Sequence, residues 1–301
     1  MLIYHFFRDL INIKINFDIG KKTWFGTGGK AKVLLVINNL KSLKFLLKNL
    51  PKSQPIFLMG AGSNIIVRDG GIDGITVKLG EEFKKIDFIK KRKIINIGSA
   101  AKDLDISKFC YENSIGNFEF LRGIPGTLGG NIKMNAGCYG SSISDRLISC
   151  TIIDRNGNIE EILKENLVFD YRFSSIPRDS IVIEAKFEAL PKNKKLIKEK
   201  LKEINNERTL NQPINFRTGG STFKNTSKES AWKLIDKINF RGKVIGGAKV
   251  SNLHTNFLIN NGKASSLDLE LLGEEIRSKV KKKYNISLDW ELIRVGQFKK
   301  I

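Results

Sequence analysis

Apolar residues recur along the chain with two spacings, one suited to strands and one to helices. The run Ala-Lys-Val-Leu-Leu-Val-Ile at 31–37 predicts a strand. After it, Leu40, Leu43, Leu46, Leu47 and Leu50 follow helical spacing, and Asn38 or Asn39 can cap that helix by accepting a hydrogen bond from an amide of its first turn. Pro51 and Pro55 end it. Short apolar runs predict strands at 56–59, 65–67, 75–79 and 93–97, and then a helix over 103–114 with Leu104, Phe109 and Cys110 facing inward. Residues 152–154 and 159–162 flank Asn156-Gly157, a dipeptide that accepts the positive φ angles of a tight hairpin. Residues 170–175 form a polar and aromatic loop, and 181–190 alternate as a strand. Composition shifts at Pro191, so a domain boundary is placed there, before a charged helix over 192–207 with Leu196, Ile197, Leu201 and Ile204 on one stripe. Beyond it lie a helix over 229–240 and a β-rich run over 248–260. A helix near 267–283, with Leu272, Ile276, Val280 and Tyr284 at i+4 steps, and a strand near 290–295 follow.

One stretch does not follow either spacing. Residues 120–140 carry six glycines, Gly123, Gly126, Gly129, Gly130, Gly137 and Gly140, with Pro125 fixing one φ angle. Ile124, Leu128, Ile132 and Met134 interleave with them, so the stretch packs from within, as a loop wrapped closely around a ligand does. A second glycine loop, Gly60-Ala61-Gly62-Ser63-Asn64, follows a predicted strand. It continues into another strand instead of a helix, which excludes a dinucleotide-fold unit or a P-loop. It is either a plain turn or a nest of amides, with the Ser63 hydroxyl, able to hold a pyrophosphate.

With 41% hydrophobic residues and 6 prolines in 301 residues, the chain has the material for two or three globular domains. No window approaches the apolar length of a membrane span. Arg8, Asp9, Lys14 and Asp18 break up the apolar stretch that opens with residues 1–7, and no small-residue cleavage pattern follows, which argues against a signal peptide and for a cytoplasmic protein. Cys110, Cys138 and Cys150 are odd in number and unpaired in spacing, so neither a disulfide framework nor structural zinc is expected. His5 and His254 are the only histidines, too few for a His-ligated catalytic metal. The net charge of +21 would suit nucleic acid, but its lysines are spread over the whole chain without interleaved stacking aromatics, which points to a solvated surface.

Three polar residues stand in apolar or glycine-rich settings. Ser221 follows two glycines and precedes Phe223, so its hydroxyl either projects into a site or merely occupies a turn. Arg172 lies between Tyr171 and Phe173 and is either functional or stacked on the surface. Glu291 follows Trp290 in a strand-like run. Facing inward it would need a partner or a raised pKa, and facing outward it is an ordinary exposed residue.

In their joint order, several blocks resemble the UDP-N-acetylenolpyruvoylglucosamine reductase family over about residues 23–296. The blocks are Thr23-Trp-Phe-Gly-Thr-Gly-Gly, Gly60-Ala-Gly-Ser-Asn, Gly123-Ile-Pro-Gly-Thr-Leu-Gly-Gly-Asn, Met134-Asn-Ala-Gly, Tyr171-Arg-Phe-Ser, Gly219-Gly-Ser-Thr-Phe-Lys-Asn, His254-Thr-Asn-Phe and Trp290-Glu-Leu-Ile-Arg-Val-Gly. The resemblance implies an α+β fold. An N-terminal extension over 1–26 would precede a p-cresol-methylhydroxylase-type FAD-binding domain over 27–192, with subdomains of about 27–85 and 86–192, and a substrate-binding domain would follow over 193–301. It implies FAD, with NADPH as co-substrate, reducing UDP-N-acetylglucosamine enolpyruvate to UDP-N-acetylmuramate for peptidoglycan. FAD contacts would come from Gly60, Ala61, Gly62, Ser63, Asn64, Gly123, Ile124, Pro125, Gly126, Thr127, Gly129, Gly130, Asn131, Asn135, Ala136 and Gly137. Ser221 would be the proton donor, with Arg172 and Glu291 catalytic and with Lys224 and Asn225 contacting substrate; no metal is implied. The chain has no tyrosine between Tyr171 and Tyr284, so it resembles the branch without a tyrosine-bearing lid. A monomer that binds neither nucleic acid nor membrane is expected. An oxidase of the same fold would leave the Ser221 and Glu291 blocks unexplained, and a nucleic-acid-binding protein would leave the glycines unexplained.

Overall fold

The leucines after Asn39 form the helix that their spacing predicts. In the computed structural model, which describes residues 12–299, Asn39 Oδ1 accepts the Ser42 amide, and Leu43, Leu46 and Leu47 are buried. The apolar residues 1–7, His5 among them, lie outside the described residues. Up to residue 112 the chain forms β1 (Asn12–Phe17), β2 (Ala31–Ile37), α1 (Leu40–Asn49), β3 (Ile56–Leu58), β4 (Ile65–Val67), β5 (Ile72–Leu79), β6 (Ile86–Ile89), β7 (Ile94–Gly98) and α2 (Asp103–Glu112). Next come α3 (Leu128–Met134), β8 (Gly137–Cys138), β9 (Ser141–Ser142), β10 (Leu147–Ile153), β11 (Ile159–Leu163), β12 (Phe169–Asp170), β13 (Phe173–Ser174), β14 (Ile181–Glu188) and α4 (Lys194–Asn211). The remainder holds α5 (Ala231–Lys237), β15 (Val244–Ile245), β16 (Ala248–Val250), β17 (Leu258–Asn260), α6 (Ser266–Tyr284) and β18 (Ile293–Val295).

The chain packs as two compact units. The described residues 12–14, 34–61 and 75–207 form the first, and 15–33, 62–74 and 208–299 the second. The boundary read from composition at Pro191 thus falls inside the first unit, which runs to Glu207, and two early segments belong with the C-terminal one.

The first unit is built on an antiparallel sheet in the order β11-β10-β14-β7-β6. Asn156-Gly157 turns β10 into β11 with Ile153 opposite Ile159, and Gly157 takes φ +78, which a side chain would resist. Ile95, Ile97, Cys150, Val182, Ala185 and Phe187 join Ile106 and Cys110 of α2 and Leu128 and Ile132 of α3 in one apolar core. Phe118 and Phe187 meet edge to face at 5.7 Å. Two predicted inward residues face outward. The buried positions of α2 are Asp103, Ile106, Ser107 and Cys110, a stripe at i, i+3, i+4 and i+7 that leaves Leu104 49% exposed. In α4 the buried residues are Ile197 and Ile204, one heptad apart, and Leu196 is 53% exposed.

The second unit has its own core, in which Phe25 and Ile66 from the early segments pack with Phe223, Leu234, Leu258, Leu272, Ile276 and Leu292. β4 pairs in parallel with β18, Ile65 opposite Ile293 through Val67 opposite Val295. Asp69 accepts the Ser266 and Leu267 amides at 3.1 Å each, satisfying two donors at the start of α6. Arg68 Nε donates to the buried Glu270 at 2.8 Å. A Cβ on Gly273 would fall 2.1 Å from Trp290 Cη2, so the indole lies directly on bare helix.

The three cysteines are free thiols, and burial pushes Cys110 up and Cys150 up to about 11. No helix among the described residues is long and apolar enough to cross a membrane, and no group of three or more His, Cys, Asp or Glu among them could hold a metal ion.

Candidate active site

In the first unit the glycine stretch folds into α3 and the turns on either side of it. The Leu128 and Gly129 amides donate to Ala101 and Ser99 carbonyls at 3.0 and 2.8 Å, so they are used by the chain and cannot serve a ligand. A Cβ on Gly126 would lie 2.7 Å from Asp103 Oδ2, and one on Gly129 would lie 3.0 Å from Ser99 Cβ. These two glycines are therefore required by the protein's own packing. Gly130 differs: its Cβ position meets nothing nearer than Thr127 Oγ1 at 4.0 Å, leaving an open strip of backbone.

Gly60 belongs to the same place, because its Cβ would fall 2.5 Å from Thr127 Oγ1. Two glycine blocks 67 positions apart thus meet at one hydroxyl. Beneath Gly129, Ser99 Oγ is buried without a hydrogen-bond partner. Open backbone at Gly130, the Thr127 hydroxyl beside it and the orphaned Ser99 hydroxyl close by fit a large, flat, phosphate-bearing cofactor such as FAD. On the far side of the stretch, a Cβ on Gly123 would meet Tyr139 Cε2 at 2.6 Å, and the Cys138 thiol donates to the Phe120 carbonyl at 3.3 Å. Ile124 and Pro125 are half-buried, and Ala136 and Gly137 lead into the β8–β9 hairpin.

Arg172 sits at the turn between β12 and β13, with φ +55 and its guanidinium 4.9 Å from the Tyr171 ring centroid. This hairpin is fastened to the glycine stretch twice. Asn135 Nδ2 donates to the Asp170 carbonyl at 3.0 Å, and Ser174 Oγ donates to the Lys133 carbonyl at 2.8 Å. The other Asn135 side-chain atom, Oδ1, accepts the Ser144 amide. Burial lowers Lys133 to about 8 even though its Nζ donates to the Pro177 carbonyl.

Ser221, Lys224, Asn225 and Glu291 lie in the second unit, with Gly62, Ser63 and Asn64. Gly220, at φ +83, turns the chain so that residues 221–223 run extended. Ser221 bridges Phe257 on one side, Phe223 bridges Trp290 on the other, and the Glu291 amide donates to the Thr222 carbonyl at 2.9 Å. Ser221 and Glu291 are thereby on adjacent extended segments. Asn64 joins them, its Nδ2 donating to the Glu291 carbonyl at 3.1 Å, and the Lys224 amide donates to the Asp289 carbonyl at 2.9 Å. Ser63 is buried, while Asn225 is exposed and its Oδ1 accepts the Ala231 amide, an anchoring role at the start of α5.

Asn256, which carried no role in the sequence reading, organises this segment. Its carbonyl accepts the Thr222 amide at 2.7 Å and its side chain bonds both backbone groups of Phe223. The signal available was its place in the His254-Thr-Asn-Phe block. His254 Nδ1 accepts the Asn256 amide at 3.3 Å; burial lowers its pKa, its own backbone hydrogen bond opposes this, and the charge of Arg241 adds to it.

Comparison with known proteins gives two domain matches, an FAD binding domain over residues 33–163 and the C-terminal domain of UDP-N-acetylenolpyruvoylglucosamine reductase over residues 212–295. The reductase of Orientia tsutsugamushi (strain Ikeda) is 44% identical over 284 residues, 94% of each chain. The chain belongs to the UDP-N-acetylenolpyruvoylglucosamine reductase family. The reductase of Rickettsia prowazekii (strain Madrid E) is 43% identical over 286 residues, 95% of this chain and 96% of that one. A crystal structure of the reductase from Thermus caldophilus superposes with TM-score 0.82 at 26% identity, covering 95% of this chain and 99% of that one. The fold is the α+β, p-cresol-methylhydroxylase-type FAD-binding fold with a reductase C-terminal domain, and the protein is an FAD-dependent oxidoreductase of this reductase family.

Proposed function

We propose that the protein uses NADPH to reduce UDP-N-acetylglucosamine enolpyruvate to UDP-N-acetylmuramate, in the cytoplasm, as a step of peptidoglycan synthesis. Gly60–Asn64, residues 123–131 and residues 135–137 hold FAD, which when bound supplies the hydride. The remaining work falls to side chains of this chain. Arg172 pairs with the enolpyruvyl carboxylate, where a planar guanidinium offers two parallel donors and stabilises the charge that develops on the substrate as an enolate. Ser221 Oγ holds the proton that the substrate carbon must receive. Glu291 orients the substrate or polarises that hydroxyl, and Lys224, half-buried beside Phe223, is the cation for the diphosphate.

The observation that carries this reading is the Glu291-to-Thr222 hydrogen bond, which sets Ser221 and Glu291, 70 positions apart, on neighbouring segments together with Asn64. Absorbance of the purified protein tests it. A bound flavin spectrum, bleached anaerobically by NADPH and restored by the enolpyruvyl sugar nucleotide, is the expected result. Restoration by oxygen alone, with no response to that sugar nucleotide, would favour an oxidase.

A further inference from the structure

Asp103 and Asn131 meet inside the first unit, 28 positions apart in sequence. Asp103 opens α2 at 1% exposure and Asn131 lies in α3 at 3%. Asn131 Nδ2 donates to Asp103 Oδ1 at 2.5 Å, while Asp103 Oδ2 is buried with no hydrogen-bond partner. Oδ2 and Asn131 Oδ1 lie 2.7 and 3.0 Å from the point a Gly126 Cβ would occupy, so two acceptor oxygens converge on one small space. An ionised carboxylate leaves one of those oxygens desolvated and unpaired, which a buried anion does not tolerate well. Exchanging the oxygen and nitrogen of the Asn131 amide does not remove the conflict, because two oxygens would then face each other at 2.5 Å. A proton on Asp103 satisfies either arrangement. Burial acts in the same direction, raising the Asp103 pKa well above the usual carboxylate range, with the Asn131 hydrogen bond opposing it.

We propose that Asp103 is a neutral carboxylic acid that closes a two-point hydrogen-bonded ring with the Asn131 carboxamide, and that this ring positions residues 126–131 for FAD. In the ring the acid O–H donates to Asn131 Oδ1 and the amide N–H donates back to the other carboxyl oxygen. Backbone contacts run alongside it: the Asp103 amide donates to the Gly126 carbonyl at 3.3 Å, and Lys102 bridges Thr127. The side-chain ring thus completes a seam between residues 99–103 and 126–131. Gly126 must lack a side chain because the ring occupies the space beside it. The proposal rests on the reading of residues 126–131 as part of the FAD site.

Two independent measurements test it. Infrared spectra of the FAD-loaded protein with 13C-labelled aspartate should show a protonated carboxyl band at neutral pH that is missing from Asp103→Asn; a spectrum with ionised aspartates alone overturns the ring. FAD titrations of the apoproteins give the second measurement. Asp103→Asn can still form a two-point amide ring and should bind within about threefold of the native protein, whereas Asp103→Ala, which strands the Asn131 amide, should bind about 10- to 100-fold more weakly. Native affinity in Asp103→Ala overturns the positioning role, as does equal weakening in both variants. Should Asp103→Ala fail to fold, the infrared band and the Asn variant decide. Gly130→Val separates the two readings: if it too keeps native FAD affinity, the assignment of the loop fails, and if it loses FAD while Asp103→Ala does not, only the ring fails.

Discussion

Asn256 holds Phe223 at both ends of one residue, its Oδ1 accepting the Phe223 amide at 3.0 Å and its Nδ2 donating to the Phe223 carbonyl at 2.8 Å. Both residues are buried, so no water replaces these bonds if they are lost. Asn256→Ala should destabilise the protein by about 2–5 kcal/mol in chemical denaturation. Asn256→Asp, which keeps the acceptor and loses the donor, should not restore it. Unchanged stability in Asn256→Ala would show that Phe223 is held by its neighbours alone.

Ser221 lies two residues before that grip, and its proposed duty begins only after hydride has reached the substrate. Ser221→Ala should therefore leave NADPH reduction of the flavin nearly intact and slow reoxidation by the enolpyruvyl substrate about 10²–10⁴-fold. Ser221→Cys should recover part of the rate. Stopped-flow absorbance reads the halves separately, and equal slowing of both would assign Ser221 to flavin geometry or shared binding instead.

Gly130 offers the cleanest probe of the cofactor loop, since packing inside the protein does not demand it. Valine is a better helix former than glycine, so Gly130→Val should fold at least as stably as the native chain. Its branched side chain should still weaken FAD binding about 10- to 100-fold if the flavin rests on that open strip. Fluorescence titration with FAD and a thermal melt of the apoprotein together give both answers.

His254 makes the second unit acid-sensitive. Burial holds its folded pKa below the ordinary histidine value of about 6.5, so the unfolded chain binds a proton more readily, and stability falls as pH drops below about 6.5 until the folded pKa is passed. Protonating Nδ1 also removes the acceptor for the Asn256 amide. His254→Gln should flatten this part of the stability–pH curve; an equally steep curve would place the sensitivity elsewhere.

Local signals were legible in the sequence where one short segment determined the outcome. Asn156-Gly157 turned β10 into β11, with the positive φ at Gly157 and not at Asn156, Asn39 capped α1, and Leu272, Ile276 and Val280 buried one face of α6. Where burial depends on distant partners, the sequence alone was insufficient. Strand β6, Ile-Asp-Phe-Ile between lysines, is too short to stand out from its charged flanks. Leu104 and Leu196 show that an apolar residue on a helix need not lie on the buried stripe. The glycine blocks and the Ser221 and Glu291 segments were visible as motifs. The contact of Gly60 with Thr127, the Asp103–Asn131 pair and the grip of Asn256 needed three dimensions, because each joins polar or featureless positions remote in sequence.

The parallel pairing of β4 with β18 has a consequence for how the molecule is made. Residues 65–67 leave the ribosome long before residues 293–295, and Phe25 and Ile66 must wait as long for the core they enter. The first unit can close around α2, α3 and its sheet once residue 207 has emerged, whereas the second closes only when its last strand arrives. A fragment cut at residue 208 should accordingly collapse without settling, its core lacking two of its own apolar side chains. Added in trans, residues 15–74 carry both of them, together with the edge against which β18 pairs.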